Sequence, residues 1–284
     1  MNLDSHTIQS FVRQALTEDV GNGDHTSIST IPQGKQGKAK LLIKENGIIA
    51  GIAVALEIFR EIDSKLKIEI LIEDGAHVKS GDLAFYVSGS VHSILIAERL
   101  VLNTMQRMSG IATTTRQIVD QLKNTNTKVL DTRKTTPNLR FLEKMAVKIG
   151  GGENHRFGLF DMILIKDNHV DYAGGIRLAI QAARKYLDEN NLKISIEIEV
   201  RNLTELNEVL ETGQVDRIML DNFSFPNLKE AVKLIDKRYK TEASGGITLE
   251  NVLEYAQCGV DFVSMGALTH SVKSLDMSLK AIKD

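Results

Sequence analysis

The chain has no tryptophan, one cysteine and three prolines in 284 residues, and aromatic residues make up only 5% of it. With so few rings, an aromatic platform for stacking nucleic-acid bases is not expected. Formal net charge is −2, so there is no global basic face of the kind nonspecific DNA binding requires. The single Cys258 excludes an internal disulfide and any multi-cysteine metal site; in EYAQCGVDF it reads as core packing. No run approaches membrane-spanning length, and the first residues, MNLDSHTIQS, lack the apolar centre of a signal peptide. A reduced, cytoplasmic compartment is the expectation, with neither nucleic acid nor membrane as partner. Glycine-rich fingerprints of the GxGxxG or GxxxxGK[ST] type are also missing, which removes support for dinucleotide and P-loop sites.

What the chain does have is local. Apolar content is 42% and charged content 25%, ordinary for a globular protein with room for one large domain or two modest ones. Yet seven Lys/Arg residues crowd between Asp131 and His169, in DTRKTTPNLRFLEKMAVKIGGGENHRFGLFDMILIKDNH. They fall at the edges of apolar runs, in TRK, HR and IKDNH, where a strand ends and a loop begins. Such placement points to a pocket for a small, multiply anionic ligand. Lys144 and Lys148 fall on a helical stretch, LRFLEKMAVK, and border the pocket at most; Arg140 is left unassigned.

The N-terminal part mixes elements. Thr7–Glu18 has helical spacing, followed by a turn-rich stretch, DVGNGDHTSISTIP, whose acids and His25 lack a second ligand cluster for a metal. Strand-like pieces follow at 37–44, 47–51 and 66–72, with a helix at 53–62. Short strands come next through EDGAHVKSGDLAFYVSGSVHSIL. That segment resembles a lipoyl-type β module; a carrier would use Lys79, which sits in an ordinary turn. Ala97–Gln121 reads as a long helix with a possible break at Ser109-Gly110. Arg99 lies off its apolar stripe and reads as a surface residue.

After Thr127 strand and helix alternate regularly, which predicts parallel strands covered by helices: a small or incomplete α/β barrel, with an open doubly wound sheet as competitor. Barrel sites lie at the C-terminal strand ends. Those ends carry Arg133-Lys134, Lys166-Asp167-Asn168, Glu199, Asp221, Ser244-Gly245-Gly246 and Gly266-Ala267. The last two suit a phosphate, because glycine admits close backbone approach and a helix N-terminus offers free N–H groups. Glu199 and Asp221 suit ribose hydroxyls, or Mg²⁺ held through water. Arg133, Lys134, His155, Arg156 and Lys166 form a clamp for carboxylates. A Schiff base at Lys166 is the alternative chemistry.

At these residues the chain resembles the quinolinate phosphoribosyltransferase family, also called nicotinate-nucleotide pyrophosphorylase (carboxylating). The likeness is carried by ERLVLNTMQRMSGIAT, the 131–169 stretch, IEIEV, IMLDNF, SGGI, SMGALTHS and the N-terminal EDVGNGDHTS. The resemblance implies an α+β sandwich domain at 1–112, onto which 271–284 packs back, and an open α/β barrel domain at 113–270. It implies phosphoribosyl transfer to quinolinate with loss of CO₂, in NAD biosynthesis, with Mg²⁺ and no organic cofactor. It implies a homodimer with shared sites, a hexamer being the alternative assembly. Arg99 of one subunit would then join Thr132, Arg133, Lys134, His155, Arg156 and Lys166 of the other around quinolinate. Glu199 and Asp221 would hold the phosphoribosyl group and Mg²⁺; Ser244, Gly245, Gly246, Gly266, Ala267, Leu268 and His270 would hold its phosphate. Lys134, Lys166, Glu199 and Asp221 are the implied catalytic set. A non-decarboxylating relative and a molybdate-related paralogue of the same fold are the neighbouring alternatives.

Overall fold

The structure, a computed structural model, describes residues 5–282. Residues 1–4, part of the polar N-terminal stretch, and 283–284, the end of the C-terminal segment, lie outside the described residues. In chain order the elements are α1 (Ser5–Val20), α2 (His25–Thr30), β1 (Gln36–Ile43), β2 (Gly47–Ile48), α3 (Ile52–Ile62), β3 (Lys67–Ile70), β4 (His77–Val78), β5 (Leu83–Ser90) and α4 (Val91–Leu122). Then follow β6 (Lys128–Leu130), α5 (Arg140–Ile149), β7 (Ile163–Ile165), α6 (Asp167–Ala173), α7 (Ile176–Glu189), β8 (Ile196–Val200), α8 (Leu203–Thr212) and β9 (Arg217–Asp221). The chain continues through α9 (Phe225–Ile235), β10 (Lys240–Ser244), α10 (Val252–Gln257), β11 (Phe262–Ser264), α11 (Ala267–His270) and β12 (Met277–Ala281).

Two compact units result. The first comprises residues 1–116, 136–151 and 271–284; the second comprises 117–135 and 152–270. The boundary expected after residue 112 therefore falls inside α4, and α5 groups with the first unit although it lies between strands of the second in sequence.

The first unit carries a four-stranded antiparallel sheet in the order β12-β1-β5-β3. In β1 the buried positions alternate, Ala39, Leu41 and Ile43, as a strand with one covered face requires. Helix α3 buries Ile52, Val54, Ala55, Ile58 and Phe59, and Phe59 meets Phe85 of β5 edge to face at 5.9 Å. Its N-terminus has no capping side chain of its own, because Gly51 precedes it at φ 103°. Asp74 substitutes: its carboxylate accepts from Ile52 N at 2.9 Å and Ala53 N at 3.3 Å. Residues 91–95, read above as strand, form the first turns of α4.

Helix α4 runs without interruption through Ser109-Gly110, where a break was expected. Ser109 is fully buried, and its hydroxyl accepts from Ala50 N at 2.8 Å and donates to Ala50 O at 3.1 Å. Gly110 serves close approach, not helix termination: a Cβ there would lie 2.2 Å from Lys273 O and 2.9 Å from Val272 Cγ1. Strand β12 continues that C-terminal segment and pairs with β1 from Ala39↔Ala281 to Ile43↔Met277.

The second unit is a six-stranded, all-parallel sheet in the order β6-β11-β10-β9-β8-β7, with helices between successive strands. All five residues of β8 are buried, as expected for a strand covered on both faces. Strands β6 and β7 lie at opposite ends of this order, about 24 Å apart if the sheet were flat. Residues following each of them nevertheless line one cavity, so the sheet curls into an incomplete barrel. This is the mixed α/β architecture expected from the sequence.

Gly110→Ala should destabilise the first unit. Alanine gains roughly 0.5–1 kcal/mol of helix propensity, but the clash with backbone costs about 1–3 kcal/mol. Chemical denaturation should show a net loss; an unchanged or raised midpoint would contradict the contact.

Candidate functional site

A cavity of about 800 Å³ opens at the C-terminal ends of the parallel strands. It is lined by Thr132, Arg133 and Lys134 after β6, Lys166 after β7, Glu199 in β8, Asp221 and Asn222 at the end of β9, Ser244–Gly246 after β10 and Gly266-Ala267 after β11. His155, Arg156, Glu242 and His270 complete its wall. Thus the cations, carboxylates and glycines separated by 138 positions, from 132 to 270, reach one space because the parallel strands all end on the same side. Leu268 is fully buried in α11 and is not among the lining residues. Arg99 lies exposed on α4 in the first unit, beside a different cavity of about 380 Å³ lined also by Phe11, Glu18, Asp19 and Arg107. Lys144 does not border the strand-end cavity: it is fully buried on α5.

The cationic wall is built with carboxylates interleaved. Lys166 Nζ donates to Glu199 Oε2 at 2.8 Å; Glu199 is only 8% exposed. Arg156 is equally buried, and its Nη1 donates to Met162 O at 3.2 Å. Burial, followed by the neighbouring Arg133 charge, lowers its pKa from the ordinary guanidinium value. The loop carrying it is stitched to β6 by Asp131, fully buried, which accepts from His155 N at 2.9 Å and from Asn154 Nδ2 at 2.5 Å. Lys134 is placed by its backbone: its N–H donates to Thr132 Oγ1 at 3.0 Å and its carbonyl accepts from Thr269 Oγ1 at 2.8 Å.

The ends of β10 and β11, next to β6 in the sheet, contribute backbone to the cavity. Gly245 and Gly246 adopt φ 94° and 62°, and a Cβ on Gly245 would lie 2.2 Å from Asn222 Oδ1. Asn222, itself at φ 54°, donates from N to Ser244 O at 2.9 Å and from Nδ2 to Asp221 Oδ2 at 2.6 Å. Gly266 leaves room that a Cβ would close, 2.9 Å from Lys134 Cδ and 3.1 Å from the His270 ring. These glycines form a cradle in which an oxyanion can approach peptide N–H groups and Lys134 together.

Two of these lining residues, His155 and Glu242, belong to a buried group of which the sequence reading named only His155. Glu197 and Glu242 are fully buried; His155 Nε2 stands 2.9 Å from Glu197 Oε2 and 3.5 Å from Glu242 Oε2. Arg217 Nη1 stands 3.0 Å from Glu242 Oε2 and 3.9 Å from Glu197 Oε2. Burial first, and then the Glu197 charge, pushes Glu242 up to about 7; burial also raises Glu197. The signal was available: Glu197 stands two positions before Glu199 and Glu242 two before Ser244, so in a strand each pair shares a face.

The carboxylate oxygens of Glu199 and Asp221 are hard donors of the kind Mg²⁺ takes. Glu199 is already neutralised by Lys166, whereas Asp221 is half-exposed, so the pair suits an ion held through water and substrate oxygens better than a full protein cage.

Comparison with known proteins agrees with this geometry. The family description "Quinolinate phosphoribosyl transferase, C-terminal domain" matches residues 111–280, and the corresponding N-terminal domain matches residues 24–109. A mitochondrial quinolinate phosphoribosyltransferase [decarboxylating] of Nicotiana tabacum is 49% identical over 97% of this chain and 82% of its own length. A chloroplastic nicotinate-nucleotide pyrophosphorylase [carboxylating] of Arabidopsis thaliana is 48% identical, covering 97% and 83%. Among solved structures, NadC from Streptococcus pyogenes superposes with a TM-score of 0.93 at 40% identity, over the full length of both chains. The nicotinate-nucleotide pyrophosphorylase of Francisella tularensis gives 0.92 at 39%, covering 99% and 98%. Matched in both domains and at high identity along almost its whole length, the chain belongs to the quinolinate phosphoribosyltransferase family.

Proposed function

We propose that the protein transfers a phosphoribosyl group from phosphoribosyl pyrophosphate to quinolinate, releasing pyrophosphate and CO₂ and giving nicotinate mononucleotide for NAD biosynthesis. The observation that carries this reading is the division of one cavity into a cationic wall and a glycine cradle, with two carboxylates between them.

Quinolinate is a planar dianion. Arg133, Arg156 and Lys166 supply the charge to hold its two carboxylates, and Arg is suited to bidentate grip. Thr132, Lys134 and His155 border the same space. The cradle of Ser244–Gly246 and Gly266-Ala267, with His270, takes the 5-phosphate. Glu199 and Asp221 face the ribose and the positive charge that develops at C1 as its bond to pyrophosphate breaks. The pyridine nitrogen of quinolinate forms the new bond to C1, and the pyrophosphate leaves with the electrons of the old one. Lys134, which lines the cavity, would neutralise charge gathering on that leaving group. Mg²⁺, held by Glu199, Asp221 and substrate oxygens, would neutralise pyrophosphate charge. Once the nitrogen is cationic, the C2–carboxylate bond can break: CO₂ departs, its electron pair stays at C2, and a proton from Lys166 or a bound water completes the product. Lys166 is thereby an ion-paired clamp, its Nζ donating to Glu199 Oε2 at 2.8 Å.

The second half of the proposal is assembly. Arg99, exposed on α4 of the first unit, would reach the cavity of a partner subunit in a homodimer with shared sites. A cytoplasmic setting belongs to the same proposal, supported by a single buried thiol that needs no oxidising compartment. Among the described residues no helix is long and apolar enough to cross a membrane, and relatives are named as mitochondrial and chloroplastic forms.

With Mg²⁺ and phosphoribosyl pyrophosphate, quinolinate should yield CO₂ and nicotinate mononucleotide, and nicotinate should not react; turnover of nicotinate alone would assign the protein to a non-decarboxylating chemistry. Gly245→Ala should raise KM for phosphoribosyl pyrophosphate by about tenfold or more, since its Cβ would both clash with Asn222 and demand a strained backbone. An unaltered KM would remove the cradle from the phosphate site. Arg99→Ala and Lys166→Ala should each lower kcat/KM by roughly a hundredfold, about 2.7 kcal/mol. Mixing the two should restore about a quarter of wild-type activity, because half of a statistical dimer mixture carries one intact site. No recovery despite demonstrated subunit exchange would refute shared sites.

A further inference from the structure

The three carbonyls of the Ser244–Gly246 cradle are each held from outside the turn. Ser244 O accepts from Asn222 N at 2.9 Å, Gly245 O from Tyr255 Oη at 3.4 Å and Gly246 O from Asn251 Nδ2 at 3.0 Å. The peptide bonds are trans, and a trans peptide points its C=O and its N–H in opposite directions. Holding these oxygens therefore aims, in turn, the N–H groups of Gly245, Gly246 and Ile247. Asn251 is the N-cap residue of α10 and Tyr255 lies within that helix; neither lines the cavity, whereas Gly245, Gly246 and Ile247 do. The peptides whose oxygens face α10 thus turn their N–H groups away from the helix, toward the cavity. Among the described residues none of these three N–H groups meets a protein acceptor. The next one does: Thr248 N donates to Asn251 Oδ1 at 2.8 Å. The run of open N–H groups stops where Asn251 closes it.

An asparagine at the start of a helix ordinarily caps it, its side-chain oxygen accepting from an N–H of the first turn. Asn251 does not: its side chain makes no capping bond to α10 and reaches back instead, donating to Gly246 O and accepting from Thr248 N. Both ends of its amide group are engaged by the 246–248 turn. We infer that Asn251, and through a longer bond Tyr255, are the positioning residues of the phosphate cradle: they fix its peptides with the N–H groups of Gly246 and Ile247 turned to the oxyanion before it arrives. The inference rests on the reading of this cradle as the seat of a sugar phosphate, and not on quinolinate. Tyr255 is itself set by the Phe225 ring, which it meets edge to face at 4.9 Å. Successive N–H groups in a turn form a concavity that suits an anion. Donors oriented in advance need no reorganisation when the charge enters, and supporting side chains act through that orientation without touching the ligand.

The direct test is NMR of the full-length protein with nitrogen-15 in its isoleucine amides, titrated with ribose 5-phosphate and, as the uncharged control, with ribose. The Ile247 signal is assigned by its loss in Ile247→Val. Its amide proton should move downfield with ribose 5-phosphate and stay in place with ribose. In Asn251→Leu that movement should fall by more than half, and the dissociation constant for ribose 5-phosphate should rise about fivefold to tenfold. No movement in the unaltered protein, or the same movement in the variant, would overturn the inference. Kinetics give a second readout: Asn251→Leu should raise KM for phosphoribosyl pyrophosphate by a similar factor with KM for quinolinate unmoved. An equal rise in both would reduce Asn251 to a structural role. Should Asn251→Leu fail to fold, Tyr255→Phe decides, because it keeps the ring against Phe225 and removes only the hydroxyl; ribose 5-phosphate should bind about twofold more weakly, and unchanged affinity would contradict the inference. Absence of turnover with quinolinate would sink the proposed substrate, while the ribose 5-phosphate titration still decides this point.

Discussion

Like charges gathered in a small space repel, and this constraint organises the second unit. Arg133, Lys134, Arg156 and Lys166 line one cavity of about 800 Å³. The fold accommodates them by placing carboxylates among them: Glu199 bonds Lys166 directly, Glu242 lines the same cavity and pairs with Arg217, and Asp131 ties down the loop that bears Arg156. Removing one member of such an alternation leaves its neighbour buried and uncompensated, which costs more than the lost contact.

The same balance explains why parallel strands suit this chemistry. Each strand ends on the same side, so each contributes one short, independently chosen group without altering the core of the sheet. Strands β10 and β11 lead into glycines, β8 and β9 carry acids at or next to their last residue, and β6 and β7 lead into cations. An anionic ring, a ribose and a phosphate can then lie side by side across the strand ends, in an order set by the topology.

Much of this was legible from residues alone. The strand-end chemistry at Lys166, Glu199, Asp221, Ser244–Gly246 and Gly266-Ala267 followed from where apolar runs stop, because a short run bounded by polar residues marks a strand terminus. The buried layer was not read, although Glu197 and Glu242 share faces with Glu199 and Ser244; an acid inside an apolar run resembles an interruption until its partners on other strands are known. Nothing in its own neighbourhood distinguishes Gly110 as a packing glycine from Gly110 as a helix breaker, since the decisive atom is Lys273 O, far along the chain. Residues 136–151 group with the first unit, and the signals that bracket them, Pro137 and Gly150–Gly152, mark turns without saying to which unit the helix between them belongs. Strand β12 is formed by pairing with β1, a long-range contact that its own pattern does not announce.

The account's central claim is that one cavity performs transfer and decarboxylation in succession on quinolinate. Its most direct test is a turnover experiment with quinolinate carrying carbon-13 in the 2-carboxylate only, in the presence of Mg²⁺ and phosphoribosyl pyrophosphate. All of the label should appear in CO₂, in a one-to-one ratio with unlabelled nicotinate mononucleotide. Label retained in the nucleotide, or CO₂ released without a nucleotide forming, would contradict the account.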